Sequence, residues 1–239
     1  MYIPEFEGKL KIVILSDIHS NLEALESVLS NLGSFDALFC LGDLVGYGAQ
    51  PNEVIARIRH LKPQLLIAGN HDFAVVTGDT SDFAIHAALA VEWTRKELLP
   101  ENLDFLANLP MHSTFQEDDL RIEAYHGSPR DPLNEYVFPG TPEFILKSMI
   151  EFANADVLLL GHTHIPLDFK FDSRCLFNPG SVGQPRDGDS RASYAILNIH
   201  EGNVELKIRR VDYDIDSAAN KISQIPVPKF LADRLYLGY

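Results

Sequence analysis

The sequence predicts an α/β fold with a polar site gathered at the carboxyl ends of its strands. Short apolar runs alternate with stretches of helical spacing in the order βαβα from residue 11 onward. Five of these runs stop at Asp, Asn or His. Residues 11–15 lead into Ser16-Asp17-Ile18-His19, and 37–41 into Gly42-Asp43. Residues 65–68 lead into Gly69-Asn70-His71-Asp72, 120–125 into His126-Gly127, and 157–160 into Gly161-His162-Thr163-His164. A packed core does not require a metal-type residue at every strand end. One shared site explains the coincidence better than five accidents.

The elements follow in order. After the first strand, Ser20 and Asn21 are fit to cap a helix running to about residue 32, with Leu22, Leu25, Val28, Leu29 and Leu32 on one face. The second strand enters a glycine-rich loop, 44–50, and Pro51 is placed to start the next helix, to about 61. Residues 73–110 read as mostly helix, with Ser81 as a cap and Phe83, Ala87, Val91, Thr94 and Leu98 on a packing face. Residues 112–125 read as a hairpin around the polar turn 116–119, and 128–141 as an irregular, proline-rich loop. A helix over 141–152 precedes the fifth strand. Strands then follow over 167–171, 174–177, 194–199 and 204–211, with helical patterns at 215–222 and after Pro228. No repeat or linker interrupts the chain. Residues 1–239 are expected to form one domain with two sheets and outer helices.

At 239 residues and 46% hydrophobic content the chain can bury a single large core. Its net charge of −14 disfavours non-specific binding to nucleic acid, which depends on Lys and Arg contacts to phosphates. It leaves room for a small phosphorylated substrate held by local positive charge. Cys40 and Cys175 both sit in apolar runs and read as buried thiols of a reducing compartment. Residues 1–7 contain no basic leader region, and no apolar run approaches the ~20 residues of a membrane helix. The expectation is a soluble, cytoplasmic protein without membrane partners.

Asp17, His19, Asp43, Asn70, His126, His162 and His164 are the candidate metal ligands. The set is too large for one tetrahedral zinc. It suits two divalent ions sharing a carboxylate, and its mixed nitrogen and oxygen donors favour Mn, Fe, Zn, Co or Ni over Ca or Mg. Such a pair can clamp the attacking and leaving oxygens of an in-line displacement at a phosphate ester. Arg130, Arg186 and Arg191 lie in loops that can reach a substrate phosphate, and Tyr47 can stack on a leaving group; solvated arginines and a packing tyrosine are the plainer readings.

The ordered set Asp17-x-His19, Gly42-Asp43, Gly69-Asn70-His71-Asp72, His126-Gly127 and Gly161-His162-Thr163-His164 resembles the calcineurin-like metallophosphoesterase superfamily. The later turn Asn178-Pro179-Gly180-Ser181-Val182-Gly183 is similar to its small single-domain bacterial and archaeal phosphodiesterase branch. The resemblance implies a four-layer α/β/β/α sandwich, two mixed sheets face to face. It implies that Asp17, His19 and His164 hold one metal, that Asn70, His126 and His162 hold the other, and that Asp43 bridges them, with manganese first among the candidates. It implies attack by a metal-bridging hydroxide, with His71 as the catalytic histidine that stabilises phosphoryl oxygens or protonates the leaving group. Asp72 would orient His71, or would only cap the segment that follows. Protein phosphatases of the superfamily carry Asp-Arg-Gly after the bridging Asp. Here Leu44-Val45-Gly46-Tyr47-Gly48 stands in its place, which counts against that activity and against diadenosine-tetraphosphate hydrolysis. A small phosphodiester, carrying one negative charge, suits a site with few arginines. Phosphomonoesterase activity on nucleotides or sugar phosphates is the near alternative. A non-catalytic interaction scaffold, the use some members make of this fold, and regulatory nucleotide binding are the distant ones. The segment 215–239 offers no recognisable chemistry.

Overall fold

Alternation decides the layers. In β1 (Lys9–Leu15), Ile12 and Ile14 pack on one side and Val13 and Leu15 on the other, all fully buried. A strand buried on both faces must lie inside a stack, and that is its place. The computed structural model describes residues 9–200 and 203–239, so the stretch 1–7, expected to hold no leader, lies outside the described residues.

The first half winds as the sequence predicts: β1, α1 (Leu22–Asn31), β2 (Ala37–Cys40), α2 (Pro51–Leu61) and β3 (Leu65–Leu66). Asn21 caps α1 by accepting the Ala24 N–H, and Pro51 opens α2. Three helices follow, α3 (Asn70–Thr77), α4 (Ile85–Glu97) and α5 (Pro100–Ala107). The hairpin β4 (His112–Glu117) and β5 (Leu120–Tyr125) leads to α6 (Glu143–Ala153), β6 (Val157–Leu159), β7 (Leu167–Phe171) and β8 (Arg174–Asn178). The chain then returns to the first sheet as β9 (Ala192–His200) and β10 (Asn203–Val211). It ends with α7 (Ile215–Ser223), α8 (Phe230–Asp233) and a 3₁₀ turn, Arg234–Tyr236.

Two five-stranded sheets result, in the orders β10-β9-β1-β2-β3 and β4-β5-β6-β8-β7. In the first, β1, β2 and β3 run parallel; in the second, β5, β6 and β8 do. Each sheet is completed by antiparallel partners, so both are mixed. The sheets share a core: Ile12, Ile14 and Phe39 of one meet Ile122, Leu159 and Phe177 of the other. The outer face of the first sheet packs on α1 and α2 through Leu25, Val28, Val54 and Ile58. The outer face of the second packs on α6 through Leu146, Met149 and Ile150. This is the expected four-layer sandwich. The C-terminal helices form a separate cluster with α4 and Tyr47.

Three local expectations shift. The helix placed from residue 73 begins at Asn70, so the motif after β3 opens a helix instead of filling a loop. The strand proper is only Leu65–Leu66: Ile67 N–H still reaches the Cys40 carbonyl of β2, but Ala68 N–H turns to the Pro110 carbonyl. Ser81 caps nothing: α4 starts after Ala84, and the Ser81 N–H donates to Asp79 in the preceding turn. Cys40 and Cys175 are buried free thiols, as expected, and burial pushes both up to about 12. No helix among the described residues is long and apolar enough to cross a membrane.

Phe39 is fully buried where the two sheets meet, edge-on to Phe115 at 5.0 Å. Phe39→Ala is expected to cost about 3–5 kcal/mol in urea unfolding with an unchanged slope. A loss below about 1 kcal/mol would contradict a sheet-to-sheet core at that position.

Candidate metal centre

Parallel strands share a direction, so β1, β2 and β3 end at one edge of their sheet, and β5, β6 and β8 at one edge of theirs. The loops leaving those ends hold the predicted ligands, and the two edges meet. The structure brings Asp17, His19, Asp43 and His164 into one cluster and Asp43, His126 and His162 into a second, with donor atoms within 4.8 Å of one another in each. Asp43 belongs to both. Asn70 joins the second through its Oδ1, 3.2 Å from His126 Nε2.

The backbone is bent to achieve this. Asp17, His19, Asp43, His162 and His164 all lie at φ between 50° and 69°, the left-handed region that side chains avoid. Each such residue costs of order 1–3 kcal/mol unless its surroundings fix it. Main-chain bonds between loops do so here: Asp17 N–H to Gly42 O, His19 N–H to Asp43 O and Gly183 N–H to Asp17 O, each 3.0–3.1 Å. Gly69 permits a close approach, since a Cβ there would run into the Asp43 carboxylate.

Ring orientation is set from outside the cluster. His19 Nδ1 lies 3.0 Å from Val45 O, His126 Nδ1 2.7 Å from Leu41 O, and His164 Nδ1 2.6 Å from Gln184 O. A carbonyl only accepts, so these contacts put the hydrogen on Nδ1 and leave Nε2 as a bare lone pair pointing inward. His162 is reversed: its Nε2 faces Asn134 O at 3.2 Å, which leaves Nδ1 free.

The interior is therefore a concentration of acceptors. His19 Nε2 and His164 Nε2 stand 3.0 Å apart with no hydrogen left to place between them. Asp17 Oδ1 and Asp43 Oδ2 are buried without any donor. Native proteins satisfy the large majority of buried polar atoms, so acceptors facing acceptors call for cations. The donor set fits divalent metals.

Charge states agree with that demand. Burial holds His19 well below its ordinary value, and it holds His71 near 4 and His162 near 3, all neutral at pH 7. Burial alone would lower His126 too, but the Asp43 and Asp17 charges outweigh it and raise it to about 10. Burial would raise both carboxylates; His164 beside Asp17, and His126 and His71 beside Asp43, hold them below the usual range.

His71 follows Asn70 into α3. Its ring lies 4.4 Å from Tyr47, 4.8 Å from His19 and 4.9 Å from Phe83, on the wall of a cavity of about 410 Å³. Asp72 does not orient it, contrary to one expectation. The Asp72 carboxylate instead accepts the N–H groups of Leu44 at 3.2 Å, Val45 at 3.1 Å and Gly69 at 3.0 Å. It ties the start of α3 to the loop that carries Asp43, and burial with the nearby Asp43 charge pushes it up to about 7. His71 Nδ1 is left without a hydrogen-bond partner.

Of the predicted substrate contacts, Tyr47 and Arg186 line the cavity. Arg130 does not: it pairs with Glu135, and Asp131, Asn134 and Tyr136 of the same loop form that wall. Arg191 pairs with Asp189. Two features were not visible in the sequence. Tyr136 stacks on His162 with ring centres 3.9 Å apart, and Arg234, from the segment expected to carry no chemistry, lines the cavity beside Arg186. The expectation of few arginines at the site is corrected accordingly.

The chain belongs to the calcineurin-like phosphoesterase superfamily, whose domain model matches residues 10–202. It is 39% identical to protein MJ0912 of Methanocaldococcus jannaschii, over 96% of this chain and 99% of that one. It is 26% identical to the phosphodiesterase YfcE of Escherichia coli, over 79% of this chain and 88% of that one. A crystal structure of a metallophosphoesterase from Sphaerobacter thermophilus superposes with a TM-score of 0.81 at 35% identity, covering 96% of this chain and 99% of that one.

Asp72→Asn leaves one acceptor facing three amide donors. The metal-stripped variant is expected to lose about 1–3 kcal/mol in stability. Unchanged melting with impaired turnover would restore the His71-orienting role.

Proposed function

We propose that this chain is a dinuclear-metal phosphodiesterase acting on a small substrate. The observation that carries the reading is the pair of acceptor clusters sharing Asp43, with Asp17 Oδ1 and Asp43 Oδ2 lacking any donor. In this reading Asp17, His19 and His164 hold one ion, Asn70, His126 and His162 hold the other, and Asp43 serves both. Two divalent ions, Mn²⁺ first among Mn, Fe, Zn, Ni and Co, would supply Lewis-acid polarisation of the phosphoryl group and acidify the attacking water.

The chain's own residues do the rest. The carbonyls of Val45, Leu41 and Gln184 keep His19, His126 and His164 in the ligating tautomer. His71, neutral because buried, donates one N–H toward the phosphoryl oxygens or the leaving group. Asp72 acts only by fixing the Asp43 loop. Tyr136, stacked on His162 at the cavity wall, offers an apolar face to one ester group. The likeness to a phosphodiesterase of E. coli supports the diester. One observation favours a monoester instead: Arg186 and Arg234 on the cavity wall suit the extra charge of a dianion.

Bis-p-nitrophenyl phosphate and p-nitrophenyl phosphate, offered to metal-stripped protein before and after Mn²⁺ is restored, test the reading. Turnover is expected only with metal and chiefly on the diester. Preference for the monoester would move the assignment to a phosphatase, and metal binding without turnover of either would favour a scaffold.

His71→Ala is expected to keep both ions and lose about 10²–10⁴-fold in kcat. Near-normal turnover, with metal content measured in the same sample, would remove His71 from the reaction.

A further inference from the structure

Two guanidinium groups bear on a single ring at the cavity wall. Arg186 Cζ lies 5.6 Å from the centre of Tyr47, and Arg234 Cζ 5.9 Å from it. Like charges repel, and several arginines elsewhere are neutralised: Arg57, Arg130, Arg191 and Arg210 each hold a carboxylate. This pair does not. Arg186 donates to Tyr47 Oη at 3.3 Å and Gln184 Oε1 at 2.9 Å, and Arg234 donates from Nε to the main-chain oxygen of Tyr239. Asp131, on the same wall, is engaged by the N–H groups of Leu133 and Asn134, and Asp82 is exposed and pairs with neither arginine. With 34 acidic residues against 20 basic ones, the chain had carboxylates to place here.

The arginines have donors to spare. Arg186 Nε is buried with no partner. Arg234 is only 8% exposed and lines the cavity, and its Nη atoms make no hydrogen bond among the described residues. The metal centre lacks donors; this wall lacks an acceptor. The missing partner is an anion with several oxygens, for which paired guanidiniums are well shaped.

Tyr47 relates the wall to the centre. Its ring lies 4.7 Å from His19 and 4.4 Å from His71, and both arginines bear on the same ring. Two divalent ions held by two carboxylates and carrying a bridging hydroxide would already balance the single charge of a diester. Two more positive charges call for a further anion.

The geometry points to a subsite in which Arg186 and Arg234 bind a second phosphoryl group of the substrate, the first lying at the metal centre and the other beside Tyr47. The inference rests on the phosphoesterase reading and narrows its substrate class to esters carrying an additional phosphate. Arg234 is supplied by the C-terminal segment, beyond residues 10–202 matched by the family domain.

Two diesters test it: the p-nitrophenyl ester of thymidine 5′-phosphate, and the same ester bearing a 3′-phosphate. They share the leaving group and the scissile phosphate. With the Mn²⁺-loaded chain, the phosphorylated ester is expected to be favoured about tenfold or more in kcat/KM, mainly through KM. Arg234→Gln should bring the ratio near unity, and Arg234→Lys should keep part of it. Equal efficiency in the wild type, or an advantage that survives Arg234→Gln, overturns the subsite. Should Arg234→Gln fail to fold, Arg186→Gln carries the same expectation. Calorimetry with thymidine 3′,5′-bisphosphate and thymidine 5′-phosphate reads the subsite without turnover: tighter binding of the bisphosphate, lost in the variant, supports it, and equal binding overturns it. If neither ester is hydrolysed, the phosphoesterase reading fails, and the calorimetry still decides the subsite.

Discussion

Two buried carboxylates, each with one oxygen that no protein donor meets, set the terms for everything around them. Asp17 and Asp43 are fully or almost fully buried, and Asp17 Oδ1 and Asp43 Oδ2 face imidazole lone pairs. An isolated ionised carboxylate in a protein interior is costly by several kcal/mol. The fold nevertheless places two side by side, adds bare nitrogens, and bends five backbone positions into the left-handed region to do it. Such an arrangement is stable only with positive charge inside it. The metal centre is thus a feature the whole sandwich accommodates, held by main-chain bonds between loops from both sheets.

The architecture explains how so much unfavourable chemistry is tolerated. Each ligand loop leaves a strand whose residues are locked between layers. Val13 and Leu15 face helices while Ile12 and Ile14 face the other sheet, so the strand cannot slip by one residue without exposing a core face. The positions of Asp17 and His19 follow from that register. The same holds on the second sheet, where Val157 and Leu159 anchor the approach to His162 and His164.

This arrangement is why most of the fold and the metal centre could be read from the chain. Strand residues and ligands are contiguous, so a buried run followed at once by Asp or His states both structure and position. What was missed was missing locally. Asn70-His71-Asp72 reads as a polar loop, although an Asp three residues past the cap is also a helix-start signal, and the structure follows that reading. The role given to Asp72 beside His71 gave way to three backbone amides, two of them from a loop 27–28 residues away in sequence. Arg130 lies in the right loop but faces Glu135. Nothing beside Arg234 marks it: Leu231, Ala232 and Leu235 form an ordinary apolar stripe, and only their packing with Ala87, Ala90 and Tyr47 carries the arginine to the cavity.

That packing divides the site into two parts with different origins. The acceptor cluster comes from strand ends inside residues 10–202, the part matched by the family model, and its general chemistry belongs to that framework. The donor wall is assembled from the loop after β8 and from a terminal segment whose helices rest on α4. The two parts meet at Tyr47, which stands in the loop where protein phosphatases of the superfamily carry an arginine. A positive group on the cavity wall is therefore not absent here; it is delivered from elsewhere in the chain. The division also shows how an acidic protein presents positive charge locally. A net charge of −14 is spread over the surface and screened within about 10 Å at 0.1 M salt, whereas two guanidiniums lining a cavity act at contact distance on whatever enters it.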